Sequence, residues 1–140
     1  MIPSPSPAPV RASVIALVTC LSATLRAAPV ISELNYHPPH AALSPEPTAQ
    51  EWIELHNPDA AAVDVGGWQF TSGVNFVIPP GPSIPAGGFL VVAADLAAFQ
   101  AAHAGFTGEV TGGWTGQLSN GGEKVTLVDA AGLEVDTVNY

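Results

Sequence analysis

From residue 29 onward, apolar and β-branched runs stay short, and glycine or proline interrupts them before a helical stripe could develop. The chain holds 14 Gly and 14 Pro in 140 residues. Proline fixes φ and offers no amide to a ladder, while glycine supplies the backbone angles of tight turns. That punctuation selects many short strands joined by turns, so the expected fold class is an all-β sandwich with one short helix.

The strands can be placed. "VISELNY" (30–36) is extended until the consecutive prolines of "HPPH" stop it, and 41–50 is a Pro-punctuated loop. In "EWIELHN" (51–57), Ile53 and Leu55 take one face and Trp52, Glu54 and His56 the other, the period of a half-buried strand. Asn57-Pro58-Asp59 turns the chain into "AVDV", and Gly66-Gly67 gives a bend or bulge. Trp68 is expected to plug the core, with Phe70 on the same side. "GGFLVVAA" is apolar on both faces, as suits a central, covered strand. Asp95 caps a short helix with Leu96, Phe99, Ala102 and His103 on one face and Gly105 at its end. A Gly-rich loop follows, and "EKVTLVDAAGLEVDTVNY" is a closing hairpin turned by Asp129-Ala130-Ala131-Gly132.

The N-terminus has another character. "MIPSPSPAPVR" ends in Arg11, fourteen apolar or small residues follow, and then come Arg26 and "AAP". A basic flank, an apolar stretch and small residues describe a secretory signal peptide over 1–28, too short before Arg26 to span a bilayer well. Cys20, in "LVTC", is a weak candidate for lipidation. Cleavage near Ala28 would leave an exported domain, 29–140, without cysteine and without stable membrane insertion. It would also leave Lys124 against 12 Asp and Glu, a net charge of −11. Such a surface repels phosphate backbones and anionic lipid, so nucleic acid is not an expected partner, whereas cations and basic proteins are permitted.

The ordered series "ISELNY", "EWIELHNP…VDVGGW", "IPAGGFLVV" and "LSNGGEKVTLVDAAGLEVDTVNY" resembles the lamin-tail domain of exported bacterial proteins, over essentially all of 30–140. The resemblance implies an immunoglobulin-like β-sandwich and a non-enzymatic module. It also implies company, because bacterial members are attached to large secreted proteins that carry hydrolase, nuclease or spore-coat-kinase-like parts. No coiled-coil rod precedes the resembling residues, and the basic surface of a DNA-binding tail is missing.

Candidate chemistry is sparse. His37 and His40 stand one polyproline turn apart and, with His56 or Glu54, could be assembled into a zinc site; solvated loop histidines are the plainer reading. Ser119 lacks a nucleophile-elbow pattern, and Asn120-Gly121-Gly122 suits a turn better than an oxyanion cradle. Glu51 with Glu54, or Asp129 with Glu134 and Asp136, are carboxylate sets that nothing in the sequence forces into an apolar pocket. Glu33, Asp59, Asp64 and Asp95 at loops and strand ends make calcium the one ligand to keep in view, with no other cofactor expected. Trp114 suits core or edge packing better than an exposed contact. No catalytic, cofactor-binding or metal residue is assigned. The expected function is an exported, non-enzymatic binding or structural module for a protein or cell-surface partner. The alternatives are an accessory N-terminal module of a larger secreted enzyme truncated at Tyr140, and a weak calcium-binding domain.

Overall fold

Ile53 and Leu55 are wholly buried while Trp52, Glu54 and His56 between and beside them stay half-exposed, which is the alternation read from the sequence. The computed structural model describes residues 28–39 and 46–140. The expected signal peptide, with Arg11, Cys20 and Arg26, falls outside the described residues except for Ala28; His40 and 41–45 fall outside them too. No helix among the described residues is long and apolar enough to cross a membrane.

The fold is an immunoglobulin-like β-sandwich. One sheet runs in the order β1 (Val30–Asn35), β2 (Trp52–His56), β7 (Phe89–Ala93), β8 (Glu109–Gly112). The facing sheet runs β10 (Glu134–Asn139), β9 (Lys124–Val128), β4 (Gln69–Ser72), β5 (Phe76–Val77), and a two-stranded ribbon pairs β3 (Val63–Asp64) with β6 (Ser83–Ile84). Ile53, Leu55 and Leu90 of the first sheet and Phe70, Val125 and Leu127 of the second form one buried cluster between them.

β7 lies between β2 and β8 and is buried from Leu90 through Ala93, as its doubly apolar run predicts. Its outer side is covered by α1 (Leu96–Ala102), whose Phe99 packs with Val91 and Ala93. Asp95 caps the helix as expected, accepting the Ala98 amide at 2.8 Å. The helix stops at Ala102, and Phe99 is its only buried residue; the His103 ring packs against Phe99 with centroids 4.6 Å apart, and Leu96, Ala102 and His103 are exposed. The closing hairpin also forms as read: Asp129 Oδ1 accepts the amides of Ala131 and Leu133, and Gly132 has φ +81°.

Trp68 and the stretch that holds β8 differ from the sequence reading. Trp68 does not plug the core. It is half-buried in the turn before β4, donating its amide to Val65 and accepting from Ile78, while Phe70, two residues on, is fully buried. The segment read as a Gly-rich loop contains β8, which pairs parallel with β7. Parallel neighbours need a crossover, and α1 supplies it.

Candidate interaction edge and a buried carboxylate

The face that carries Ile53 and Leu55 also carries Glu51 and Asn57, since all four share the parity of the strand. Asn57 is 0% exposed, and its amide donates to the carbonyls of Ala61, Ile84 and Pro85 at 2.8–3.0 Å while its Oδ1 accepts the Asp59 amide. It locks the 57–61 turn onto the end of β6, so a buried polar side chain here has its partners.

Glu51 is 1% exposed, which corrects the expectation that no carboxylate would be forced into the interior. Its Oε2 accepts the Leu118 amide at 2.8 Å, fastening the β8–β9 connection to the first sheet. Burial pushes its carboxyl above the ordinary value of 4.5; the Leu118 amide opposes that, and the carboxylates of Glu46 and Glu123 add to it. Nearby, Glu123 Oε1 accepts the Ser119 amide and the Tyr140 hydroxyl, which also donates to the Ser119 carbonyl. Burial and the Glu123 charge hold the Tyr140 phenol well above its ordinary range.

The sign of the Glu51 shift sets a pH dependence. Its raised folded-state value contributes stability that is fully present below about 4.5 and is lost as pH rises through the folded value. Glu51→Gln keeps an acceptor for Leu118 without the charge. Its melting temperature should exceed the parent's at neutral pH, and the two should converge near pH 4; thermal melts across that range check it.

The other sequence candidates are spread over the fold. Glu54 points to the face opposite Glu51, so they form no pair. Asp129 closes its turn, Glu134 is exposed, and Asp136 accepts the Ile31 amide at 2.7 Å. Asp64 and Asp95 accept local backbone amides, as does Asp59. Among the described residues, no three His, Cys, Asp or Glu side chains are arranged to hold a metal ion. His37 lies 2.8 Å from Glu46 and 3.4 Å from Asn120, and its expected partner His40 lies outside the described residues. His56 stacks on Phe89 at 4.6 Å. The Ser119 hydroxyl accepts the Gly121 amide, and Gly122 takes φ +88° in that turn. Trp114 is buried in the core cluster, as its packing role predicts.

What the fold leaves open is an edge. β1 and β10, of six residues each, are longer than β8 and β5 at the opposite edges, and among the described residues no further strand is hydrogen-bonded to their outer sides. Between them runs a groove of about 350 Å3 lined by Ile31, Leu34, Tyr36, Val138 and Tyr140, with Glu33 at its rim. Tyr36 and Tyr140 close one end with ring centroids 4.7 Å apart. The sequence located β1 and β10 but not their adjacency, because strand order is set by contacts distant in the chain.

The family model for the Lamin Tail Domain matches residues 23–140. No curated protein matches the chain.

Proposed function

Because this chain belongs to the lamin tail domain family, whose immunoglobulin-like modules mediate protein interactions without catalysis, we propose that it is an exported, non-enzymatic contact module for a protein partner at the cell surface. The supporting observation is the open side of the sandwich, where two long edge strands flank an apolar groove with an aromatic pair at one end. Export rests on the N-terminal leader pattern, and the acidity of the surface favours a basic partner over nucleic acid.

The test is photo-crosslinking in the producing organism from a reactive residue placed at Tyr36, with Phe89 on the outer sheet face as a second site. A discrete adduct to one identified protein, outside the cytoplasm, is the expected result. Labelled chain without an adduct from either site would contradict a contact role.

A further inference from the structure

Resting on that reading, the geometry points to the free edge of β1 as a docking site for an extended segment of a partner protein that alternates Lys or Arg with apolar residues. The segment would add a strand to the first sheet.

The alternation follows from what lies on each side of that edge. A strand presents successive side chains to opposite faces. On the inner side, Ile31 and Leu34 of β1 and Val138 of β10 line the groove, so side chains pointing there must be apolar. On the outer side, Glu33 and Glu54 stand directly opposite each other in the β1–β2 register. Like charges so placed repel. Ser32 donates to Glu54 Oε1 at 2.8 Å, but no ion pair relieves either carboxylate among the described residues, whose only Lys or Arg is Lys124. A cationic side chain on the added strand would sit beside this pair and neutralise it. Asp136 holds the Ile31 amide, which marks where the new ladder ends; from there toward Asn35 and the Tyr36–Tyr140 pair, no strand among the described residues is hydrogen-bonded to the outer side of β1.

Charge also chooses among occupants. A second copy would bring the same acidic rim against this one, and the described residues carry 12 Asp and Glu against one Lys. A basic strand meets no such repulsion. The hollow of about 290 Å3 under α1 lacks these properties, since the Phe99 and Phe106 rings pack edge-to-face across it and no Asp or Glu lines it.

The probe is a fluorescein-labelled peptide of about seven residues, a natural strand length, alternating lysine and valine. Glutamate–valine and lysine–glycine peptides are the controls. The purified chain should bind the lysine–valine peptide alone, and at least about tenfold more weakly once salt shortens the screening length to about 3 Å. Glu33→Lys combined with Glu54→Lys should weaken that peptide at least about tenfold and bind the glutamate–valine peptide instead, with an undiminished melting temperature as the check on folding. The inference is overturned if the variant binds lysine–valine as tightly as the parent, if lysine–glycine binds equally well, or if sedimentation shows the edge consumed by a second copy. Failure of all the peptides alongside a defined crosslink from Phe89 would overturn the β1 edge and leave the contact module standing. Failure of both would remove the two together.

Discussion

Phe70→Ala should destabilise the domain by about 3–5 kcal/mol, a large share of the roughly 5–15 kcal/mol that holds a domain of this kind together. Phe70 is wholly buried on β4, where it pairs with Phe76 of β5 and Leu127 of β9 and belongs to the cluster that joins the two sheets. Truncation leaves a cavity between two rigid sheets that can relax only in part, so the lost transfer energy and the cavity add. Trp68→Ala should cost less, because Trp68 is only partly buried and packs at the margin of that cluster. Denaturant melts of the two variants would check the order. A larger loss for Trp68 would mean that the turn before β4, not the strand itself, closes the core.

Gly112→Ala should detach β8 from β7. A methyl group there would lie 2.0 Å from the Ala93 carbonyl oxygen, which is backbone and cannot swing aside. That same carbonyl accepts the Gly113 amide at 3.0 Å, so the two glycines wrap over it at the end of the parallel ladder. Relief requires the chain to move away, and β8 then loses its register with Leu90 to Ala93. Val91 and Ala93 of β7 and Phe99 of the crossover helix, which pack together, would be uncovered together. The expected result is fast amide exchange in Thr111 and Gly113, with weakened cooperativity of unfolding. Gly132→Ala is the control: it has a left-handed φ of +81° but nothing within 4 Å of an added methyl, so its cost should be limited to backbone strain.

These two sites mark the boundary of what the sequence discloses. Strict alternation around Ile53 and Leu55, the doubly apolar run of β7 and the Asp129–Gly132 turn each have a local cause, and each forms as read. The strand β8 has none: "EVTG" is four residues with a terminal glycine, and it becomes a strand only because the crossover through α1 lays it beside β7. Glu51 was legible in principle, since strand parity aligns it with Ile53 and Leu55, but its charge argued for solvent. The amide that compensates its burial comes from Leu118, 67 residues away, and no local pattern foretells that. Trp68 misleads for the opposite reason: its size suits a core, while the turn it occupies leaves it at the edge.

The groove between β1 and β10 belongs to the same class of information. Each strand can be read alone, yet the apolar floor and the Tyr36–Tyr140 pair exist only once the two sheets face each other, and the Glu33–Glu54 pair only once β1 lies on β2. Amide hydrogen exchange on the purified chain with and without the lysine–valine peptide tests the β1 edge most directly. The prediction is slowed exchange concentrated in Glu33–Asn35, with the helix α1 unchanged. Protection confined to Phe99–Val110, or none in β1 at saturating peptide, would contradict it.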